Sequence, residues 1–378
     1  MNFQLSEEQQ LVVKTVRAFA DKEVRPLAAE IDEHHRFPHE TVEKMGKLGL
    51  MGIPFPREYG GAGGDYLSYY LAIEELAKAC ASTAVICSAH ASLVTWIINT
   101  FGTEEQKRHY MPDMIAGKRL GSFALTEPNA GTDSAKQETR ADLDGDYYVL
   151  NGIKAFITNG GAADIFVVFA MTDRTKKNKG ISAFIVERGD EGFFVGKNER
   201  KMGIRASSTV NLTFKNCRIP RDRLIGQEGK GFKIAMMALD GGRIGIAAQA
   251  LGIAEAAFDE ALNYLKTRKQ FGGPLTRQQA LSFGMAELKT EIEATRGLIY
   301  MAVDRKQRGL PYSEYASMCK LKAAETAMKV TTKAVQFMGG YGYSQDYPVE
   351  RMMRDAKVTE IYEGTSEVQK LVISSKFI

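Results

Sequence analysis

Asp144-Gly-Asp-Tyr-Tyr-Val-Leu-Asn-Gly-Ile-Lys-Ala-Phe-Ile-Thr158 is the stretch that decides the fold class, because helical spacing gives way here to strand-like runs. Asp144-Gly145 is a dipeptide typical of a hairpin turn, and the residues after it are rich in aromatic and β-branched side chains. Further strand-like runs cover 165–170, 181–186 and 209–214. The chain around this stretch is therefore predicted to form a β domain.

Helical spacing flanks the β region on both sides. Ser6-Glu-Glu-Gln9 and Thr103-Glu-Glu-Gln106 are capping boxes, which mark helix starts. The predicted helices cover 6–34, 40–49, 66–80, 83–101 and 104–116, then 229–266, 276–308, 313–338 and 348–359, with a last one after Thr365. The fold class is thus α+β multidomain, divided into an N-terminal helical domain (1–119), a middle β domain (120–225) and a C-terminal helical domain (226–378).

Composition excludes several classes of protein. The 378 residues carry a net charge of only +4, far from the basic stripe of a nucleic-acid-binding protein. The segment from Ala79 to Thr103 has no charged residue, but its hydroxyl and amide groups favour a helix buried in a bundle over one inserted in a membrane. No targeting segment is expected at the start, and the four scattered cysteines favour reduced thiols in the cytoplasm.

Glu363 is the candidate base. All five histidines (His34, His35, His39, His90, His109) lie in the first third and their spacing fits no standard metal site, so no metal is expected. A base from the later parts of the chain must then be a carboxylate, a lysine or a tyrosine. Ile361, Tyr362 and Gly364 give Glu363 an apolar setting, which raises a carboxyl pKa and makes the group a usable base toward a carbon acid.

Two strand ends suggest a site for a flat ring. Thr126 and Thr132 lie in the polar turn Leu125-Thr-Glu-Pro-Asn-Ala-Gly-Thr-Asp133, while Phe156 and Thr158 are two residues apart and are predicted to share one strand face. Arg268, Phe271 and Gln279 are candidates to hold a pyrophosphate and its neighbours. The glycine-rich stretches 226–231 and 338–342 follow no βαβ strand, so neither is interpreted as a phosphate loop.

Three separated motifs in this order resemble those of the acyl-CoA dehydrogenase family, and the resemblance covers essentially the full chain. The motifs are Ala124-Leu-Thr-Glu-Pro-Asn-Ala-Gly-Thr-Asp133, the run from Gln336 through Gly339-Gly-Tyr-Gly342 to Asp355, and Tyr362-Glu-Gly-Thr365. The resemblance implies a C-terminal four-helix bundle, non-covalently bound flavin adenine dinucleotide (FAD), and a homotetramer built as a dimer of dimers.

The resemblance also implies roles for individual residues. Cofactor contacts are expected from Phe123, Leu125, Thr126, Thr132, Phe156, Ile157, Thr158, Thr365 and Glu367, and from Arg268, Phe271, Gln279, Gln336, Gly339 and Gly340, which reach a neighbouring subunit's flavin. The acyl-CoA substrate is expected to lie against Thr132, Asp240, Gly242, Arg243, Tyr362 and Gly364.

The activity implied is α,β-dehydrogenation of a short acyl-CoA, with Glu363 as the base and electrons exchanged with an electron-transferring flavoprotein. Some branches of the family carry the base on an earlier helix, at the position of Gly242 here, which has no side chain to ionise. The run Asp240 to Gly252, together with Phe156, most resembles bacterial butyryl-CoA dehydrogenases.

Alternatives stay open at this point. A branched, isobutyryl-type substrate also fits Gly-Gly-Arg243, and the same residues serve enoyl-CoA reduction in the reverse direction. An oxygen-using acyl-CoA oxidase is less favoured, because full-length oxidases usually carry a further C-terminal domain. A flavin-free scaffold is disfavoured because Glu363, Arg268, Gln336 and Thr158 are present together.

Overall fold

The computed structural model describes residues 4–378 and shows helices, then a β-sheet, then helices, as predicted. The first third forms α1 (Glu7–Phe19), α2 (Ala28–Glu33), α3 (His39–Lys47), α4 (Tyr66–Ala79), α5 (Ala81–Ser88), α6 (Trp96–Phe101) and α7 (Glu104–Ile115). The middle part forms β1 (Gly121–Ala124), β2 (Arg140–Asp144), β3 (Tyr147–Thr158), β4 (Ile165–Met171), β5 (Ile181–Glu187), β6 (Phe193–Asn198), β7 (Thr209–Pro220) and β8 (Leu224–Ile225).

The last third is dominated by three long helices. Its elements are α8 (Gly231–Thr267), β9 (Lys269–Gln270), β10 (Gly273–Pro274), α9 (Gln279–Gln307), α10 (Ser313–Met338), α11 (Gly340–Tyr343), α12 (Val349–Lys357) and α13 (Ser366–Ser374). Helix α8 packs against α10, α9 and α4, so the N-terminal helices share one core with the C-terminal bundle. Helix α10 ends at Gly339, whose φ of 63° lies in the left-handed region that favours glycine.

Both capping boxes form. The Ser6 hydroxyl accepts from the Gln9 N–H at 3.2 Å, and the Gln9 amide oxygen accepts from the Ser6 N–H at 2.9 Å. Thr103 and Gln106 make the same pair of bonds at the start of α7. The single helix predicted over 6–34 is wrong in its middle, because a π turn and a 3₁₀ turn separate α1 from α2 at Pro26, which has no N–H for a helical bond.

The sheet places its strand ends at the site described below. Strands β2 and β3 form the predicted hairpin, with Asp144 paired to Tyr147 and Gly145 at φ 59°. The strand order is β6-β7-β3-β2-β4-β5-β8, and β1 pairs in parallel with β4. All of β4 is buried, and its alternate residues enter two cores: Val167 and Phe169 face the helices, while Phe166 and Val168 pack within the β domain.

The uncharged helix predicted at 83–101 is buried in the protein. Residues 81–101 are long and apolar enough to cross a membrane, but 94% of the most apolar window is buried inside the protein. The helix is not regular, because residues 89–95 form a π-helical segment between α5 and α6. His90 lies in this segment, where its Nδ1 accepts from the Gly121 N–H at 2.9 Å and its Nε2 donates to the Met114 carbonyl at 3.0 Å. His90 therefore joins the helix to the start of β1, and burial lowers its pKa to about 4.

Candidate active site

A cavity of about 400 Å³ lies where the three parts of the chain meet. One wall comes from α5 and the π segment, a second from the ends of β1 and β3, a third from α8, and the last from the segment before α13. The predicted residues that line it are Phe123, Leu125, Thr126, Thr132, Phe156, Ile157, Thr158, Arg243, Tyr362, Glu363, Gly364 and Thr365. The fold thus brings together most of the residues predicted for the cofactor and the substrate.

Phe156 and Thr158 both line the cavity, and buried Ile157 lies between them. Alternation along β3 is interrupted just before Phe156, because Lys154 and Ala155 are both buried and the pairing with β7 shifts between Lys154 and Ile157. Phe156 adopts φ 57° and leaves 67% of its surface exposed. The bulge turns the ring toward the cavity, where Thr158 also lies. Strained backbone beside an exposed aromatic ring is common at ligand sites.

A buried ion pair supports the turn that follows β1. The Lys154 ammonium donates to the Leu125 carbonyl at 3.0 Å, to the Glu127 carboxylate at 2.8 Å and to the Gln137 amide oxygen at 2.9 Å. Glu127 also accepts from the Thr139 N–H at 3.0 Å. These bonds fix the backbone on both sides of Thr126, so its hydroxyl lines the cavity from a rigid support.

Taken together, these residues fit a flat heteroaromatic ring with a polar edge. Phe123 and Phe156 offer aromatic surface, and Thr126, Thr132 and Thr158 offer hydroxyl groups to the same cavity. A flavin has this combination of an apolar face and hydrogen-bonding edge atoms, so the residues present fit the cofactor that the resemblance implies.

Glu363 occupies the segment before α13 in an uncommon backbone conformation. Its φ is 57° and that of Gly364 is 90°, so two successive residues are left-handed. The Gln369 amide donates to the carbonyls of Glu363 at 3.2 Å and of Gly364 at 2.8 Å, and Lys320 donates to the Gly364 carbonyl at 2.7 Å. A side chain on Gly364 would place its Cβ 2.8 Å from the Gln369 amide nitrogen, so only glycine fits this turn.

The Glu363 carboxyl takes part in no ion pair among residues 4–378. Its Oε2 is buried and has no hydrogen-bond partner among the described residues. Burial raises the pKa of Glu363 to about 7, while the positive charges of Arg243 and Lys320 act in the opposite direction. A carboxyl group with a pKa near neutrality and an unpartnered oxygen suits the abstraction of a weakly acidic proton.

Gly242 makes room for this carboxylate. A Cβ at Gly242 would lie 2.7 Å from the Glu363 Oε2 and 2.9 Å from the Leu93 Cδ2. The next residue, Arg243, donates to Asp240 at 2.8 Å and to the Ser317 hydroxyl at 3.3 Å, while its Nε has no partner within residues 4–378. Ser313 also donates to Asp240 at 2.9 Å. The predicted substrate residues Asp240, Gly242 and Arg243 therefore lie on one stretch of α8, where Gly242 is adjacent to the Glu363 carboxyl.

A second group of predicted cofactor residues lies outside the cavity. Arg268 contacts the Tyr341 ring at 5.7 Å, and Phe271 is 90% exposed. The others in this group are also exposed, namely Gln279, Gln336, Gly339 and Gly340. Their exposure agrees with the expectation that they reach a neighbouring subunit. Glu367 is exposed in the first turn of α13 and does not line the cavity.

Several residues at the site had not been predicted from the sequence. Those that line the cavity are Val85, Ser88, Ala89, Leu93, Ser134, Met236, Leu239, Ile246 and Val368. Ser88 and Leu93 belong to the uncharged helical stretch, which suggested burial but gave no sign of a site. Lys320 and Gln369 donate hydrogen bonds to the turn after Glu363, and no local sequence pattern indicates this role. The role depends on the packing of α10 and α13 against that turn.

Comparison with known protein families agrees with this architecture. The model of the acyl-CoA dehydrogenase N-terminal domain matches residues 6–118, that of the middle domain matches 122–217, and that of the C-terminal domain matches 229–377. The chain belongs to the acyl-CoA dehydrogenase family. Members of this family are flavoproteins.

Similar members of the acyl-CoA dehydrogenase family include several bacterial proteins. The chain is 63% identical to a short-chain specific acyl-CoA dehydrogenase of Clostridium acetobutylicum, over 100% of this chain and 99% of that one. It superposes on butyryl-CoA dehydrogenase from Megasphaera elsdenii with a TM-score of 0.98 at 52% identity, covering 100% and 99% of the two chains. A chain in the structure described as the electron transferring flavoprotein of Acidaminococcus fermentans matches with a TM-score of 0.99 at 52% identity, and both chains are fully covered.

Proposed function

We propose that this protein catalyses the α,β-dehydrogenation of short-chain acyl-CoA thioesters such as butyryl-CoA, using FAD. The observation that carries the proposal is the unpartnered Glu363 carboxylate, which faces a cavity lined on another side by Phe123, Phe156 and threonine hydroxyls. The similarity to short-chain and butyryl-CoA dehydrogenases supports the substrate class. Enoyl-CoA reduction uses the same residues in reverse, because the forward and backward reactions share one transition state.

Glu363 removes the α proton of the thioester. An α C–H is a weak acid, so the negative charge that develops on the thioester oxygen must be stabilised by nearby donors. Among residues 4–378, no group accepts from the Glu363 backbone N–H, which leaves this donor available to the thioester oxygen. A left-handed residue thus supplies both the base and one donor, and each such donor contributes about 3–4 kcal/mol in enzymes of other classes.

The cofactor would be held at the strand ends. We assign Phe123, Leu125, Thr126, Thr132, Phe156, Ile157, Thr158, Thr365 and Glu367 to the flavin of their own subunit, and Arg268, Phe271, Gln279, Gln336, Gly339 and Gly340 to that of a neighbour. A flavin held there would supply the acceptor for the β hydrogen, which leaves as hydride. Arg268 and Gln336 are exposed, which supports a role across a subunit boundary in a homotetramer.

The acyl group is placed between the base and the apolar wall of the cavity. Thr132, Asp240, Gly242, Arg243, Tyr362 and Gly364 border the substrate in this assignment. The Tyr362 hydroxyl donates to the Gln249 amide oxygen, and Gln249 donates to the Ala81 carbonyl at 2.8 Å, so the Tyr362 ring has a fixed position. Val85, Leu93 and Ile246 contribute apolar side chains to the cavity wall, which suits an acyl chain.

The proposal includes the partners and the location of the protein. We propose an electron-transferring flavoprotein as the redox partner, in line with the match to a chain in the Acidaminococcus fermentans structure. A cytoplasmic location is proposed as well, since the four cysteines are free and buried. We place the domain boundaries at 119/120 and 225/226, between the helical parts and the sheet.

Anaerobic titration of the purified protein with saturated acyl-CoAs tests this function. The protein should be yellow, and butyryl-CoA should bleach the flavin band more completely than longer acyl-CoAs do. Isobutyryl-CoA, whose branched acyl group is similar in volume to the butyryl group, is titrated for comparison. The proposal would be contradicted if none of these thioesters changed the flavin spectrum, or if gently purified protein contained no flavin.

The rate of flavin reduction should depend on pH through Glu363. Because the carboxylate is the active form and its pKa is raised to about 7, the rate should fall about tenfold for each pH unit below that value and level off above it. Stopped-flow reduction by butyryl-CoA between pH 5.5 and 9 measures the dependence. A rate that stays constant from pH 8 down to pH 5.5 would exclude a base with this pKa.

A further inference from the structure

Helix α10 carries a row of polar side chains that contact α8 and the turn at Glu363 and Gly364. Ser313, Ser317 and Lys320 are spaced at i, i+4 and i+7, so they lie on one face of the helix. Ser313 bonds Asp240, Ser317 bonds Arg243, and Lys320 bonds the carbonyl of Gly364. Two of these contacts reach the immediate surroundings of Glu363: Arg243 lines the same cavity, and Gly364 follows Glu363 in sequence.

Lys320 is unusual among these contacts because it buries a full charge. Its side chain is among the largest that are fully buried, with a relative exposure of 0%. Among the described residues, the Gly364 carbonyl at 2.7 Å is the acceptor of its ammonium. Burial of an ammonium group is unfavourable unless an opposite charge compensates it, and a neutral donor would satisfy one carbonyl at lower cost. A charged side chain at position 320 therefore indicates a role for the charge itself.

The turn that Lys320 holds is the strained one. Glu363 at φ 57° and Gly364 at φ 90° form a left-handed pair that persists only when its surroundings determine it. Lys320 from α10 and Gln369 from α13 both donate to the Gly364 carbonyl, from two different elements. Gln369 also donates to the Glu363 carbonyl, so the backbone that carries the Glu363 side chain is held from its carboxyl side.

We propose that Lys320 is a positioning residue for the catalytic base: it fixes the Glu363–Gly364 turn through the Gly364 carbonyl and places a positive charge behind the Glu363 carboxylate. This inference rests on the proposed function, and it adds to Glu363 a residue that touches neither substrate nor cofactor.

The charges around the base agree with this role. Arg243 from α8 and Lys320 from α10 are the cations that lower the pKa of Glu363 against the effect of burial. In turn, burial lowers the pKa of Lys320 to about 8, and the carboxylates of Glu363, Glu360 and Glu367 act in the opposite direction, while Arg243 adds to the effect of burial. Arg243 has Asp240 as its own carboxylate partner, whereas Lys320 has none within salt-bridge distance among residues 4–378.

The test compares two substitutions that separate the hydrogen bond from the charge. Lys320→Met removes both, and Lys320→Gln removes the charge but keeps an N–H donor. Lys322→Met is the matched control, because Lys322 is on the same helix but is half-buried and pairs with Glu291. For each protein, flavin content and melting temperature are measured, followed by the pH dependence of butyryl-CoA-driven flavin reduction and of α-proton exchange of the substrate in D2O.

We expect the midpoint of the acidic limb to move up by about one pH unit in both Lys320 variants, because a nearby opposite charge has been lost. The plateau rate at high pH should fall about tenfold in Lys320→Met, where the turn is no longer held, and less in Lys320→Gln. Lys322→Met should keep the wild-type midpoint. If Lys320→Met does not retain flavin, the midpoint of Lys320→Gln is compared with that of the wild-type protein instead.

An unchanged midpoint in a folded, flavin-containing Lys320 variant would overturn the role of this residue, whatever the change in melting temperature. That result would leave the proposed function intact, since the wild-type protein would still be reduced by butyryl-CoA. If the wild-type protein is not reduced by any acyl-CoA, the proposed function itself fails, and the two failures are thereby distinguished.

Discussion

Replacing Glu363 with glutamine will slow the reduction of the bound flavin by butyryl-CoA by about 10³-fold, because an amide cannot accept the α proton. Glutamine keeps the volume of the side chain, and the backbone bonds from Lys320 and Gln369 to this turn do not involve the carboxyl group. Flavin content and melting temperature should therefore stay close to those of the wild-type protein. Stopped-flow absorbance under anaerobic conditions measures the rate.

Glu360→Gln is the control for this variant. Glu360 lies three residues earlier and its carboxylate pairs with Lys357 at 2.6 Å, away from the cavity. The control should be reduced at close to the wild-type rate. Turnover of the Glu363→Gln protein at a similar rate would place the base on another residue and remove the central assignment.

Replacing Gly242 with alanine will lower kcat by about 100-fold while leaving the fold intact. The added Cβ would lie 2.7 Å from the Glu363 Oε2 and 2.9 Å from the Leu93 Cδ2, so one or both side chains must move. Both atoms are at the ends of flexible side chains, which can shift at small cost in stability. The base is then displaced from the α carbon, and catalysis is more sensitive to such displacement than folding is.

Gly297→Ala is the matched control. Gly297 also lies inside a long helix, α9, and a Cβ there meets no atom within 4 Å. This variant should keep wild-type kcat and gain about 0.5–1 kcal/mol in the free energy of unfolding, because alanine is favoured over glycine in a helix. Steady-state kinetics and thermal unfolding of both variants provide the measurement. Wild-type kcat in Gly242→Ala would show that the base does not depend on this contact.

Much of the site could be predicted from residues that are close together in sequence. Thr126, Thr132 and Thr158 follow strand ends, and strand ends were recognisable from the change of spacing near residue 120. Phe156 and Thr158 line the same cavity, as their spacing of two predicts, but the β-bulge beside Phe156 was not predicted. A bulge depends on pairing with β7, which lies more than fifty residues further along the chain.

The sequence by itself determined the order of helices and strands, the capping boxes at Ser6 and Thr103, and the hairpin at Asp144-Gly145, because each depends on interactions within a few residues. It also predicted Glu363 as the candidate base, a role that the Glu363→Gln experiment tests. Only the tertiary structure decided that Gly242 leaves room for that carboxylate and that Lys320 holds the turn behind it. These contacts join α8, α10 and the segment before α13, and their geometry follows from how the helices pack rather than from any local pattern.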